Sequence, residues 1–84
     1  MSEVAETIRQ FVLTNHLPGE SPANLRDDTP LQTSGILDSL AAMGLITFLE
    51  QQYQIELDVY DTALERFNTI RDMAATVDHK RKTS

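Results

Sequence analysis

The chain has no cysteine among its 84 residues. A disulfide framework, a thiolate metal site and a cysteine nucleophile are therefore excluded, and any thiol chemistry has to be supplied from outside the chain. No apolar run approaches the roughly 18 residues that a membrane span requires, and the opening MSEVAETIRQ carries early acidic residues and no apolar signal core. These absences predict a soluble, cytoplasmic protein that does not bind a membrane.

The chain also lacks an excess of positive charge. Its formal net charge is −6, so nucleic-acid phosphates would repel it, and the acidity favours basic protein partners or simple solubility instead. Three of the seven basic residues lie together at Lys80, Arg81 and Lys82. We therefore predict one domain over residues 1–78 and a basic, flexible tail over residues 79–84, whose cations follow a helix C-terminus favourably.

Candidate metal ligands are equally sparse. The two histidines, His16 and His79, lie in different segments without a second ligand at metal spacing. Asp27-Asp28-Thr29 lacks the glycine and the remaining ligands of a calcium loop, which favours a loop turn or a capping cluster. The sequence therefore predicts no metal site.

The sequence contains no motif of a serine hydrolase, a P-loop or a dinucleotide-binding fold. A chain of this length buries only about 60 to 65% of its unfolded surface, which leaves little room for an internal active site. We therefore predict no catalytic residue and no enzymatic activity. A serine hydrolase with His16 as a base contributed across the fold stays as a minor alternative, and it predicts ester turnover by the purified protein.

Apolar residues recur at helical spacing in three segments. The first helix is predicted over residues 3–15, with Ser2 as its cap, and the second over residues 38–52. The last begins where Thr69-Ile70-Arg71-Asp72 forms a capping-box-like start. The apolar stripes are Val4, Ile8, Phe11 and Val12 in the first helix; Ala42, Leu45, Ile46, Leu49 and Tyr53 in the second; and Ile70, Met73, Ala74 and Val77 in the last.

Three connections complete the predicted fold, which is all-α with three long helices and one short one around a single core. The polar loop over residues 18–35 is unusually long for a compact domain, which indicates either a function or a loop packed by its own side chains. Residues 53–57 alternate like a strand, but an isolated strand has no partner, so we predict an extended connector with Ile55 or Leu57 turned inward. Residues 61–65 can form one short helical turn. The side chains available to attach the long loop to the core are Leu25, Leu31 and Ile36.

The second helix has an uncharged face, although the chain is acidic overall. Its members are Leu40, Met43, Gly44, Thr47 and Gln51. Glycine in a helix interior costs roughly 1 kcal/mol relative to alanine, so Gly44 indicates close approach by another helix or by a partner, unless it is merely tolerated. We predict a partner-binding surface on this face, formed by Leu40, Met43, Gly44 and Thr47.

The run Gly35-Ile36-Leu37-Asp38-Ser39-Leu40 joins the long loop to the second helix. Locally, Asp38 or Ser39 is most simply the helix N-cap, because these residue types accept hydrogen bonds from the first free N–H groups of a helix. A serine held at a helix start is also exposed and rigidly presented to a modifying enzyme. The run alone leaves both interpretations open.

The same run, with Phe67-Asn68-Thr69-Ile70-Arg71-Asp72-Met73-Ala74 later in the chain, strongly resembles the acyl and peptidyl carrier proteins. The resemblance covers nearly the whole chain, from the first amphipathic helix to the last. It implies an all-α, four-helix bundle of acyl-carrier-protein type, with three longer helices, a short helix III and a long loop between helices I and II.

The resemblance further implies a prosthetic group. Ser39 would be the attachment point of 4′-phosphopantetheine, transferred from coenzyme A by a phosphopantetheinyl transferase with Mg²⁺, and Asp38 would support that reaction. The protein would hold an acyl or aminoacyl group as a thioester and shuttle it, as a monomer, from a loading ligase to a downstream transferase or synthase. The alternative from another class is a small helical adaptor that binds partners through the second helix without a prosthetic group.

Two features bear on the type of carrier. Fatty-acid-synthesis carriers typically read Leu-Gly-Ala-Asp-Ser-Leu and follow the serine with a helix rich in glutamate. Here Gly35 stands four positions before Ser39, and the exposed face of the second helix has no acid. The chain is therefore more similar to stand-alone aminoacyl or D-alanyl carriers and to secondary-metabolite carriers of nonribosomal peptide and polyketide systems, and residues 64–70 point the same way.

Overall fold

Three α-helices make up most of the fold in the computed structural model, which describes residues 3–83 apart from the side chains of Pro22 and Thr83. The helices are α1 (Glu3–His16), α2 (Ser39–Tyr53) and α3 (Ile70–Thr83), with 3₁₀ turns at Pro22–Asn24 and Leu64–Arg66 and no strand in the described range. The all-α prediction is confirmed, and the predicted bounds of α1 and α2 agree to within one residue. None of the helices described for residues 3–83 has the length and hydropathy to cross a membrane.

α1 buries a slightly different face from the predicted one. Val4, Ile8 and Val12 are buried as predicted, but Phe11 is only half-buried and stacks on Phe48 of α2, with ring centroids 4.7 Å apart. The buried face of α1 is completed by Ala5, Arg9 and Leu13. The cap predicted at Ser2 lies outside the described residues.

The core lies between α1 and α3, which make the most extensive contact between helices in the described chain, and the inner face of α2 packs alongside. Leu45 and Leu49 of α2 are fully buried, whereas Ile46 at the edge is only partly buried. Phe67, just before α3, is the largest fully buried side chain. Burial of each large apolar side chain contributes about 1.5 to 3 kcal/mol, so this cluster is the main source of stability.

Three buried leucines attach the long loop to the core. Leu25 and Leu31 are at most 2% exposed, and Ile36 is partly buried and packs against the core, as predicted. Leu37, which sequence analysis did not single out, is also buried. The chain turns at Gly35, and the Leu37 N–H donates to the Leu31 carbonyl at 2.8 Å, which holds this part of the loop against the core.

Asn68 joins the same loop to the start of α3. Its carbonyl accepts from the Leu31 N–H at 2.7 Å, and its Oδ1 accepts from the N–H groups of Gln32 at 2.9 Å and Thr33 at 3.2 Å. Backbone N–H groups near a core need such partners. The loop is therefore packed structure, as one of the two interpretations of its length predicts.

Arg9 holds the long loop against α1 through hydrogen bonds, a role that sequence analysis missed. Its buried side chain donates through Nε to the Leu25 carbonyl at 3.1 Å, through Nη1 to Glu6 at 2.9 Å, and through Nη2 to Asp27. Hydrogen bonds from Gln10 and then from Arg9 hold the pKa of Glu6 below its ordinary value. Asp27 therefore helps to hold the long loop against α1, which agrees with the interpretation of residues 27–29 as a loop turn or capping cluster rather than a calcium site.

Replacing Arg9 by methionine should lower the free energy of unfolding by about 2 kcal/mol. The Leu25 carbonyl would lose its donor in a buried environment, while the partly exposed carboxylates of Glu6 and Asp27 would cost less. Arg71→Met makes the same charge change at an exposed position of α3 and should cost less than about 0.5 kcal/mol. Urea unfolding followed by circular dichroism measures both variants, and equal losses would contradict the role of Arg9.

α3 crosses the predicted boundary between the domain and its basic tail at residues 79–84. The helix continues to Thr83, and Lys80 Nζ lies 3.0 Å from Asp61 Oδ2. Lysine and arginine side chains are favourable in the last turn of a helix, because the negative end of the helix dipole lies there. These cations therefore stabilise the C-terminal turn of α3. Residues 79–83 thus belong to α3, and Ser84 lies outside the described residues.

The contact between Lys80 and Asp61 shifts both pKa values. Burial opposes ionisation of Asp61, but hydrogen bonds from the Asp58 N–H and from Lys80 outweigh it, and the pKa of Asp61 is lowered. The hydrogen bond with Asp61 raises the pKa of Lys80. Both groups are therefore charged at neutral pH, and the pair holds the α2–α3 connection against the end of α3.

The α2–α3 connection follows the predicted order with a shift of its short turn. α2 is capped at its C-terminus by Gln54, which adopts φ of 56° and donates its N–H to the Glu50 carbonyl. The connector predicted over residues 53–57 is only partly found, because Tyr53 belongs to α2 and Gln54 is left-handed rather than extended. Ile55 is buried, as one of the two alternatives for the inward-turned residue predicts, and Leu57 is half-buried. The predicted turn over residues 61–65 is a 3₁₀ turn at Leu64–Arg66 instead. Asp58 and Asp61 exchange side-chain-to-N–H hydrogen bonds of 2.9 and 3.1 Å, which form a separate turn first.

Candidate functional site

Ser39 is the first residue of α2, and its side chain is exposed. Asp38 is the N-cap: its Oδ1 accepts from the Ala41 N–H at 2.8 Å, and its carbonyl accepts from the Ala42 N–H at 2.8 Å. Of the two candidates for the cap, the structure therefore selects Asp38. No hydrogen bond within the described chain uses the Ser39 hydroxyl, so the cap leaves this group available for chemistry.

Two backbone N–H groups beside the hydroxyl are also unused. Those of Ser39 and Leu40 precede the first helical hydrogen bond of α2 and have no acceptor among residues 3–83. The N-terminus of a helix carries a partial positive charge, and its free N–H groups favour anions. A phosphate ester on Ser39 would place its negative charge at this end of α2, so the residues present fit such a group.

The turn before α2 fixes the position of Ser39. Gly35 has φ of +89°, a conformation that residues with a Cβ rarely adopt. Two positions before Ser39, the side chain of Leu37 is buried in the core. Ser39 is therefore presented from a backbone that is anchored on its N-terminal side and helical on its C-terminal side.

The uncharged face of α2 is exposed, as the helical spacing predicts. Leu40 is 78% exposed and Met43 is 63% exposed, and Gly44, Thr47 and Gln51 are exposed beside them. A Cβ added to Gly44 would have no neighbour within 4 Å. Close approach by another helix of this chain therefore does not explain Gly44, and a partner, a ligand or tolerance stays open.

A groove runs between α1 and α2 and begins beside Ser39. The part near Ser39 has a volume of about 460 Å³, and the adjoining part, further along the two helices, has about 410 Å³. The first part is lined by Phe11, Asn15, His16, Asp38, Leu40, Ala41 and Gly44, and the second by Glu6, Thr7, Gln10, Phe11, Thr14, Asn15 and Phe48. Phe11 and Asn15 line both parts, and together these parts form what we call the α1–α2 groove.

His16 lies in the α1–α2 groove, where its ring centroid is 6.1 Å from that of Phe11. No hydrogen bond joins His16 to Ser39 in the described chain. Over residues 3–83, histidine and carboxylate side chains also form no cluster of three that could hold a metal ion. The hydrolase hypothesis thus gains no support from the position of His16.

Sequence analysis missed an apolar patch on the α2–α3 connection. Val59, Tyr60 and Leu64 are 87%, 65% and 49% exposed. Arg66 lies over the Tyr60 ring at 4.1 Å and donates to its hydroxyl, beside a cleft of about 450 Å³ that also contains Lys80. These residues follow no helical or strand period, so no sequence pattern distinguished them from a buried turn.

Comparison with known proteins gives one informative match. A family model described as a phosphopantetheine attachment site matches residues 15–77. The match includes the whole of α2 and the residues around Ser39. No curated protein matches the chain.

Proposed function

The chain belongs to the phosphopantetheine-attachment family, and from this we propose that it carries an acyl or aminoacyl group as a thioester on an arm bound to Ser39. Members of the family are non-catalytic carriers with a covalent 4′-phosphopantetheine group, so this chain is a carrier protein and not an enzyme. The group supplies the thiol that the sequence lacks. The attachment residue and the carried group are the parts that we propose.

One observation carries the assignment to Ser39: its exposed hydroxyl stands at the start of α2 with no hydrogen bond in the described chain. Attachment would form a bond from Ser39 Oγ to the phosphorus of the pantetheine phosphate and break the bond from that phosphorus to adenosine 3′,5′-bisphosphate. The proton of the hydroxyl would pass to a base of the transferase. The free N–H groups of Ser39 and Leu40 would favour the negative charge of the phosphodiester that remains.

Asp38 supports this site in two ways. Its Oδ1 caps α2 through the Ala41 N–H and so keeps the helix start ordered. Its carboxylate is exposed next to Ser39, where it suits contact with the Mg²⁺ that the transferase holds. We infer that Asp38 positions the serine for the transferase.

The partners follow from the family and from the surface of α2. A phosphopantetheinyl transferase and catalytic partners in general are expected for any member. We infer that these include a ligase that loads an acyl or aminoacyl group and a transferase or synthase that removes it, and that the carrier acts as a monomer. The position of Gly35 and the absence of acids from the exposed face of α2 favour an aminoacyl, D-alanyl or secondary-metabolite carrier.

Incubation with coenzyme A, Mg²⁺ and a broad-specificity transferase tests the proposal. We expect the intact mass to rise by one phosphopantetheine group. An unchanged mass, with a known carrier modified in the same tube, would contradict the proposal and favour the helical adaptor.

The uncharged face of α2 predicts partner binding with weak salt dependence. Exposed ion pairs contribute only about 0 to 1 kcal/mol and are screened by salt, so this face has to bind through apolar contacts of Leu40 and Met43. Met43→Asp should weaken binding of the transferase about tenfold, because burying a methionine contributes roughly 1.5 to 3 kcal/mol. Gln52→Asp makes the same change in charge at an exposed position of α2 outside this face. Titration calorimetry at two salt concentrations gives both effects; a steep salt dependence without an effect of Met43→Asp would contradict the prediction.

A further inference from the structure

We propose that the α1–α2 groove binds the prosthetic arm of its own carrier and that the stacked rings of Phe11 and Phe48 contact the group at the end of that arm. The proposal rests on the proposed attachment at Ser39. It assigns a ligand to a surface that shares Leu40 and Gly44 with the uncharged face of α2 and adds Phe11, Asn15 and Phe48, for which the sequence predicted no binding role. The preferred carried group is one with a flat, apolar body, such as an aromatic acyl group.

The α1–α2 groove begins beside the attachment residue. Asp38 and Leu40, the two neighbours of Ser39 in the chain, both line the near end of the α1–α2 groove. A flexible chain tethered to Ser39 therefore begins at the entrance of the groove. Tethering also removes most of the entropic cost that a free ligand would have to overcome, so a shallow groove is sufficient.

The two rings lie within reach of an arm on Ser39. Phe48 follows Ser39 by nine positions on α2, which corresponds to about 13.5 Å along the helix axis and about two and a half turns around it, so the arm has to pass around α2 at Leu40 and Gly44 to reach the ring. Phe11 lines the groove near Ser39 as well as further along, where Phe48 joins it. An extended phosphopantetheine arm, with its pantoyl, β-alanyl and cysteamine units, can span this distance and deliver its sulfur to the two rings.

The lining of the groove matches the chemistry of the arm. The arm alternates apolar groups, including two geminal methyl groups, with two amides. The groove offers apolar surface from Phe11 and Ala41 and hydrogen-bonding groups from Asn15 and His16. The Asn15 Nδ2 donates to the Phe11 carbonyl at 2.9 Å, which orients this side chain and leaves its Oδ1 to accept from an amide of the arm.

Gly44 lines the groove, although no packing contact within the described chain requires a glycine at this position. A Cβ at this position would meet nothing within 4 Å. Glycine inside a helix is unfavourable relative to almost any other residue. The missing side chain keeps the groove open along α2, which is the property that an occupant of the groove would need.

The sequence leaves open whether the core around Ile46, Leu49, Phe67 and Ile70 shelters a carried chain or is closed around its own side chains. Ile46 is partly buried and the other three have no solvent exposure, so a ligand that entered there would have to displace their side chains. Phe11 and Phe48 are instead half-buried and stacked, with an angle of 27° between the rings. An aromatic ring can therefore join this pair without any rearrangement of the core.

The test compares unmodified, arm-bearing and loaded protein by nuclear magnetic resonance, after mass spectrometry has confirmed each modification. Coenzyme A and phenylacetyl coenzyme A are the two donors. We expect amide shifts at Asn15 and Gly44 in the arm-bearing form, and nuclear Overhauser contacts from the phenyl protons to Phe11 and Phe48 in the loaded form. Failure to gain mass would contradict the proposed function; a gain in mass with shifts confined to residues 38–41 would overturn only the groove.

Two variants sharpen the result. Asn15→Trp places a large ring in the α1–α2 groove from the α1 side, outside the uncharged face of α2, and should abolish the phenyl contacts while the protein stays folded and still gains mass. Gln52→Trp adds the same side chain to an exposed position of α2 outside both the groove lining and the uncharged face and should retain them. Contacts from the phenyl group to Leu49 and Phe67 would overturn the proposal in favour of the core. Groove shifts that arise only when the transferase is added would overturn it in favour of a protein occupant.

Discussion

Replacing Ser39 by alanine should abolish the gain in mass completely. The proposed reaction joins phosphorus to the Ser39 oxygen, and alanine offers no atom that can replace it. The fold should be unaffected, because Asp38 rather than Ser39 caps α2 and alanine is the most favourable residue inside a helix. Circular dichroism and intact mass after incubation with coenzyme A, Mg²⁺ and the transferase measure both properties.

Ser34 provides the matched control. It lies in the same region of the chain, but its hydroxyl donates to the Leu31 carbonyl at 3.3 Å and accepts from the Ile36 N–H at 3.4 Å. Ser34→Ala should therefore be modified to the same extent as the unaltered protein. Persistent modification of Ser39→Ala, or its loss in Ser34→Ala, would move the attachment site away from Ser39.

The second large effect is expected at Phe67. This side chain has no exposure and lies where the end of the α2–α3 connection meets the long loop and α3. Phe67→Ala should lower the free energy of unfolding by about 3 to 5 kcal/mol through lost burial and the cavity left behind. A domain of this size has a total stability of roughly 4 to 13 kcal/mol, so the midpoint of thermal unfolding should fall by at least about 12 °C.

Phe11→Ala makes the same substitution at a half-buried ring. Because Phe11 lies outside the buried face of α1 and contacts Phe48 at the groove, its loss should cost less than half as much. Thermal unfolding monitored by circular dichroism compares the two variants directly. Similar losses from both would mean that the core does not depend on Phe67 as the burial pattern indicates.

The helical spacing of the apolar residues predicted much of the fold. The stripes of α2 and α3 and the cap at the start of α2 depend on neighbours three or four residues apart, and such local patterns are visible in a sequence. Thr69 at the start of α3 is an example, since its Oγ1 accepts from the Asp72 N–H at 3.1 Å as the capping pattern predicts. The Asp38-Ser39 pair was recognised for the same reason.

The missed features concern residues whose burial depends on other residues that are distant in the sequence. Arg9 was missed because its burial depends on Asp27 and on the Leu25 carbonyl, both far away in the sequence. Its spacing with Ala5 and Leu13 was the one local signal available. Leu37 was missed because a loop has no period that shows which of its apolar residues reach the core. The α1–α2 groove arises from two helices and could not be read from either alone.

The contacts that hold the long loop also bear on which surface positions of such a carrier can be substituted. Arg9 and Asn68 tie the loop to α1 and α3 without using any side chain on the outer face of α2. Substitutions at Met43 and Thr47 would therefore leave this framework intact and, on the proposed function, alter the surface that an approaching enzyme meets. Changes in partner preference and changes in folding stability would then fall on separate sets of residues.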